Sequence, residues 1–296
     1  MKKWSGVFPA MTTQFHEDGT LNLAATAHHC NEIIESGVAG LVMLGSLGEN
    51  LALDSEEKEA VLACAIETSA GRVPVLTGIA ENTATAARRW LDRAAEMGAD
   101  GAMLLPAMVY KADAREAMAH FRTVATHSPV PLIAYNNPLG YGVDITPEMF
   151  LELGELDQIV AIKESSGDVR RITDLINVVG DRYTIFAGVD DLALECAMLG
   201  ATGWIAGIGL AFPKENQRLW DLAMAGKWDE ALALYRWYTP LLHLDVGLKF
   251  VQNIKLAIQE VGLGKEYVRM PRMTLVGEER EYVLRVIRDA LDRRPN

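Results

Sequence analysis

No stretch of the 296 residues approaches the ~20 consecutive apolar positions that a membrane helix requires, so a spanning segment is not expected. Cysteine is scarce. Cys30, Cys64 and Cys196 are odd in number and far apart, with no metal or redox spacing. They read as buried, reduced packing residues of a cytoplasmic protein. A basic surplus is absent too: 28 Lys and Arg against 40 Asp and Glu leave a formal charge of -12, with no dense basic stripe. A nucleic-acid partner is therefore not expected. The six histidines form no ligand set. His28 and His29 are neighbours on a helical segment, about 100° apart, and cannot readily share one ion. No metal and no cofactor are expected. Met1-Lys2-Lys3 runs directly into Trp4, Ser5 and Gly6, which excludes a signal-peptide pattern.

What the chain does have is apolar material and regular punctuation. Half its residues are hydrophobic and 23% are charged, enough for a large core. Eight short apolar segments recur: Gly6–Thr12, Gly40–Leu44, Val73–Thr77, Gly101–Leu105, Val130–Tyr135, Ile159–Lys163, Tyr183–Ala187 and Gly203–Ile205. Helical periodicity fills the gaps, as in Asn22–Ser36, Ser55–Ala70, Thr83–Met97 and Ala114–Thr126. Strands that do not alternate fit a parallel sheet covered on both faces. Asp54 with Glu57 reads as a capping box, and Thr146-Pro147 as a capped helix start. Gly37–Gly40, Gly98–Gly101 and Gly200–Gly203 repeat one helix-to-strand connector.

Eight such units predict an α/β TIM (β/α)8 barrel over residues 1–226. Helices at Trp228–His243, Leu248–Val261 and Glu278–Arg293 predict a C-terminal helical extension over 227–296, packed on the barrel. A doubly wound nucleotide fold is disfavoured, because the first strand leads into Thr12-Thr13-Gln14-Phe15 rather than a Gly-x-Gly-x-x-Gly loop.

Barrel chemistry gathers at the carboxyl ends of the strands. Two apolar runs end there in Tyr135 and Lys163. A lysine that closes a buried strand is partly desolvated, which lowers its pKa, and a neutral amine can attack a carbonyl. A nearby phenol can move the protons that imine formation requires. The alternatives are a lysine that snorkels out to a carboxylate and a tyrosine that merely packs. Glu164 should point away from Lys163 and be structural, and Asp168 reads as a helix cap. Gly45-Ser46-Leu47-Gly48 is either an anion cradle of backbone N–H groups or a plain turn. Gly203, Gly207 and Gly209 form either a phosphate pocket or tight packing. Trp220, Trp228, Trp237 and Tyr238 sit at helical spacings and read as core or subunit seam.

The motifs Phe8-Pro9-Ala10-Met11-Thr12, Gly45-Ser46-Leu47-Gly48-Glu49, Tyr135-Asn136-Asn137-Pro138 and Ile162-Lys163-Glu164-Ser165-Ser166-Gly167-Asp168 resemble, in order and spacing, the dihydrodipicolinate synthase/N-acetylneuraminate lyase superfamily. The resemblance implies a class I aldolase-type lyase without a cofactor, a homotetramer built as a dimer of dimers. Lys163 would form the imine with a small 2-oxo or cyclic imino acid, while Tyr135 and Ser46 relay protons. Leu47, Gly48, Tyr110, Asn137 and Ile205 would surround the substrate. Leu139-Gly140-Tyr141-Gly142 lacks the arginine that dihydrodipicolinate synthases place there for a second carboxylate, and Met108 stands where a neighbouring subunit usually supplies a tyrosine. Ser46 to Asn50, Met108 to Lys111 and Asn136-Asn137-Pro138 look more like the hydroxyproline-degrading branch, the 1-pyrroline-4-hydroxy-2-carboxylate deaminases, which yield 2-oxoglutarate semialdehyde and ammonia. Alternatives are a pyruvate-dependent aldolase on a 2-oxo-3-deoxy sugar acid, a dihydrodipicolinate synthase-like activity, a barrel that binds without catalysis, and a phosphate-binding isomerase.

Overall fold

Turn residues bracket each apolar run, so the chain alternates short buried strands with amphipathic helices. The computed structural model describes residues 4–295; Met1-Lys2-Lys3, where the leader-free start was read, lies outside the described residues. The strands are β1 (Gly6–Val7), β2 (Leu41–Met43), β3 (Val75–Ile79), β4 (Gly101–Leu104), β5 (Leu132–Asn136), β6 (Ile159–Glu164), β7 (Thr184–Ala187) and β8 (Gly203–Trp204). All pair in parallel, in the order β1-β8-β7-β6-β5-β4-β3-β2. A bridge from Ala10 to Val42 joins the chain after β1 to β2 and closes the circle. The fold is the TIM barrel.

The first helices are α1 (Leu23–Glu35), α2 (Ser55–Ser69), α3 (Ala84–Glu96), α4 (Ala114–His127), α5 (Pro138–Tyr141) and α6 (Pro147–Leu153). After them come α7 (Arg170–Val179), α8 (Ala193–Met198), α9 (Pro213–Met224), α10 (Trp228–Leu242), α11 (Phe250–Glu260) and α12 (Gly277–Asp292). Asp54 and Glu57 form the reciprocal capping box at α2, and Thr146 caps α6 ahead of Pro147. The first strand is shorter than its apolar run: only Gly6–Val7 is regular, and Ala10 meets Val42 as an isolated bridge.

The repeated connector has two separate causes. Gly37, Gly98 and Gly200 hold φ of 91°, 96° and 109°, the left-handed region that ends a helix. The second glycines make room for rings at the barrel floor. A Cβ would lie 2.1 Å from Phe8 at Gly40, 2.2 Å from Trp4 at Gly101 and 2.3 Å from Phe186 at Gly203. Phe8 meets Phe186 edge-on at 5.5 Å, filling the barrel interior below the site. Trp220 and Tyr238 are buried, with Trp237 stacked on Tyr238, so these aromatics are core. Cys30 and Cys196 are buried as expected, whereas Cys64 is only half-buried on α2.

Candidate active site

Parallel pairing sets Tyr135 on β5 directly beside Lys163 on β6, so both side chains leave the sheet on one side. Lys163 Nζ lies 4.2 Å from the centroid of the Tyr135 ring. The two residues are 7% and 5% exposed, which removes the snorkelling alternative. Burial pushes the Lys163 amine below the ordinary lysine range, against opposing pulls from Tyr141, Asp245 and Asp190. Burial likewise raises the Tyr135 phenol, keeping it protonated. Gly188 is what lets the lysine stand there: a Cβ at that position would be 2.8 Å from Lys163 Cγ and 2.1 Å from Ser165 Oγ.

A second phenol completes the group. Tyr141 shares a hydrogen bond with Ser46 Oγ, and its ring meets that of Tyr135 edge-on at 5.6 Å. The single turn α5 brings it there. Asn137 caps that turn by accepting the Gly140 N–H at 2.8 Å, and its Nδ2 donates to the Tyr135 hydroxyl at 3.1 Å. Asn137 therefore orients a phenol rather than standing free in the mouth. Tyr141 carries no role in the sequence reading. Its signal was an aromatic in the stretch searched for an arginine.

Ser46 and Leu47 sit in the loop after β2. The N–H groups of Leu47 and Gly48 meet no protein acceptor among the described residues, while Thr13 Oγ1 donates to the Gly48 carbonyl at 2.7 Å. The cradle reading of this loop fits that arrangement. Glu49 anchors it from behind, with a left-handed φ of 55° and both oxygens engaged. Lys255 Nζ of α11 donates to Oε1 at 2.7 Å and the Arg269 N–H to Oε2 at 3.0 Å, while Lys255 also reaches the Tyr267 carbonyl at 2.7 Å. The Glu49 and Lys255 side chains are wholly buried. Burial lowers the Lys255 amine to about 8, against the pull of Glu49.

Of the remaining expectations, the one for Tyr110 is corrected. Tyr110 does not join the group: it is 60% exposed and its hydroxyl donates to Glu116 at 2.8 Å. Ile205 is buried just beyond β8, its N–H bonded to the Ala187 carbonyl at 2.9 Å. The late glycines are packing positions, with Gly203 against Phe186, Gly207 against Asp245 and Gly209 against Asn216. Glu164 is structural, accepting from Asn136 Nδ2 at 3.0 Å and the Ser166 N–H at 2.6 Å. Asp168 accepts the Arg170 N–H at 3.1 Å and pairs with its guanidinium, one residue before the formal N-cap Val169 of α7. Sequence reasoning also passed over Asp190 and Asp245, two carboxyl groups that the fold sets near Lys163. They lie on β7–β8 and tail segments that carry no motif.

Residues 3–290 match the profile of the Dihydrodipicolinate synthetase family. A 4-hydroxy-tetrahydrodipicolinate synthase of Halalkalibacterium halodurans is 31% identical over 273 residues, 92% of each chain. Another from an Exiguobacterium species is 33% identical over 276 residues, again 92% of each. Among solved structures, a dihydrodipicolinate synthase from Bacillus anthracis has a TM-score of 0.92 at 30% identity, covering 97% of this chain and 99% of that one. A chloride-inhibited dihydrodipicolinate synthase from Acinetobacter baumannii, complexed with pyruvate, has 0.93 at 28% identity, with 97% and 99% covered. None of these is named for the deaminase branch.

Proposed function

The chain belongs to the dihydrodipicolinate synthetase family, and from that membership and the site we propose that Lys163 forms a Schiff base with a small 2-oxo or cyclic imino acid. The carrying observation is a desolvated amine 4.2 Å from a phenol ring. Loss of solvation favours the neutral amine, which attacks the carbonyl or imine carbon. The open N–H groups of Leu47 and Gly48 take the substrate carboxylate. Tyr135 exchanges protons at the reacting carbon and nitrogen, and Ser46 with Tyr141 gives those protons a second hydroxyl pair inside the same chain.

The finer reading we favour is the deaminase: 1-pyrroline-4-hydroxy-2-carboxylate and water give 2-oxoglutarate semialdehyde and ammonia. The imine on Lys163 acidifies C3–H by giving its electron pair a sink. That pair expels the C4 hydroxyl as water, and hydrolysis opens the ring. Residues 139–142 supply a phenol where a second carboxylate would need a charged donor, which supports a monocarboxylate substrate. The names of the relatives support a second reading more strongly: condensation of pyruvate to a dicarboxylate product. Lys111 is the cation at hand for it, its stem 3.1 Å from where a Gly142 Cβ would stand. Incubating the protein with the hydroxylated imino acid, with pyruvate plus an amino-acid semialdehyde, and with a 2-oxo-3-deoxy sugar acid separates these. Ammonia release, pyruvate consumption and pyruvate release are the respective signatures. No ammonia from the first substrate would sink the deaminase reading.

Two outcomes follow from the geometry. Tyr141→Phe lowers kcat about 10²-fold with KM changed less than about threefold, because it removes a proton carrier and leaves the cradle intact. A variant within threefold of the parent in kcat would remove Tyr141 from the relay. The ascending limb of kcat/KM against pH should have its midpoint below 10.5, since burial makes the reactive amine available earlier than in free lysine. A midpoint at or above that value would contradict the desolvated state of Lys163.

A further inference from the structure

Asp190 and Asp245 both act on Lys163, and the protein occupies only one of them. Asp190 is fully buried and saturated, accepting Trp204 Nε1 at 2.9 Å, the Gly207 N–H at 3.0 Å and the Ile208 N–H at 2.7 Å. Asp245 ends a short turn, His243–Asp245, that leads out of α10. Asn253 Nδ2 of α11 holds that turn by donating to the Leu244 carbonyl at 2.9 Å. A Cβ on Gly207 would lie 2.4 Å from Asp245 Oδ1, so the carboxyl rests on the backbone just beyond β8. It is partly exposed, and among the described residues no donor hydrogen-bonds to it. Its charge is felt by Tyr135 as well as by Lys163.

Strand order fixes its place relative to substrate. β8 is two strands from β6, which carries Lys163, and two from β2, whose loop holds Ser46, Leu47 and Gly48. A substrate joined to Lys163 with its carboxylate on that loop thus crosses the mouth between two arcs. Tyr135 and Tyr141 line one arc and Asp245 the other.

We propose that Asp245 determines specificity at this mouth, accepting a hydrogen bond from a hydroxyl on C4 of the bound substrate, two carbons from the imine carbon on the side away from its carboxylate, and repelling a second carboxylate there. The inference rests on Lys163 being the imine-forming amine. An ionised carboxyl only accepts, so it rewards a hydroxyl or N–H and leaves any analogue without one facing an unpaired acceptor. A like charge in the same desolvated space is disfavoured. Burial and the neighbouring Asp190 and Asp191 push the Asp245 carboxyl up, whereas positive charge at Lys163 pulls it down. Positive charge on the iminium formed at Lys163 acts in that same downward direction.

The test is borohydride trapping on Lys163, read by intact mass over a concentration series of pyruvate, 4-hydroxy-2-oxobutyrate and 2-oxoglutarate. The parent protein should be half-trapped by the hydroxylated acid at a concentration about tenfold below that for pyruvate, and resist 2-oxoglutarate. Asp245→Ala should bring the hydroxylated-to-pyruvate ratio to within about twofold of one and admit 2-oxoglutarate. Asp245→Asn keeps an acceptor and the side-chain shape, so it should retain the hydroxyl preference and lose only the exclusion of 2-oxoglutarate. Each ratio is internal to one variant, which removes the influence of partial unfolding. If Asp245→Ala keeps both preferences, or Asp245→Asn still excludes 2-oxoglutarate, the inference falls. A parent that traps all three acids equally overturns it while leaving the Lys163 reading intact; a parent that traps none overturns the Lys163 reading itself.

Discussion

Lys163→Ala abolishes the borohydride-trapped adduct and lowers kcat/KM at least about 10³-fold, roughly 4 kcal/mol of transition-state stabilisation. No other described lysine stands beside Tyr135 at the strand ends, so no second amine takes over. Lys163→Arg separates the chemistry from the charge. A guanidinium stays protonated and cannot form the imine, yet it places a positive charge opposite Tyr141, Asp245 and Asp190. It should be as inactive as alanine while melting closer to the parent. Activity of Lys163→Ala within about tenfold of the parent, some 1.4 kcal/mol, would end the covalent reading.

Lys255→Met has the largest expected effect on stability. It leaves the Glu49 carboxylate wholly buried with the longer Arg272 contact at 3.9 Å as its remaining counter-charge. Breaking a buried pair on one side costs about 3–5 kcal/mol, because an uncompensated charge remains inside. The double variant Glu49→Gln with Lys255→Met should recover a substantial part, since both charges leave together. Urea unfolding, read as the midpoint at constant slope, checks both. A single variant that costs less than about 1 kcal/mol would mean that Glu49 reaches water in solution. The same variant should raise KM more than it lowers kcat, because Glu49 fixes the loop that offers the Leu47 and Gly48 N–H groups.

The architecture was legible because barrel strands are short, apolar and bounded by residues with backbone reasons of their own. Asp54 and Thr146 announce helices, and Gly37, Gly98 and Gly200 end them. The central pair of the site was legible for a related reason: Tyr135 and Lys163 close adjacent runs, and parallel register then puts them side by side. What escaped is what arrives from elsewhere in space. Tyr141 reaches Ser46 across 95 positions of sequence, and Lys255 reaches Glu49 across 206. No periodicity encodes such distances. Tyr110 failed in the opposite sense, since a nearby Glu116 on α4 claims its hydroxyl. The substrate branch rests on short local likenesses, which is why the names of the relatives and the residues at 139–142 pull apart.

The tail after α10 is more than a buttress. It delivers a carboxyl group to the rim at Asp245 and a counter-ion beneath the cradle at Lys255. A shortened protein reduced to its eight repeats would part with a wall of its own reaction chamber. Hybrids that splice this barrel to a foreign C-terminus would take on that donor's selectivity along with its helices.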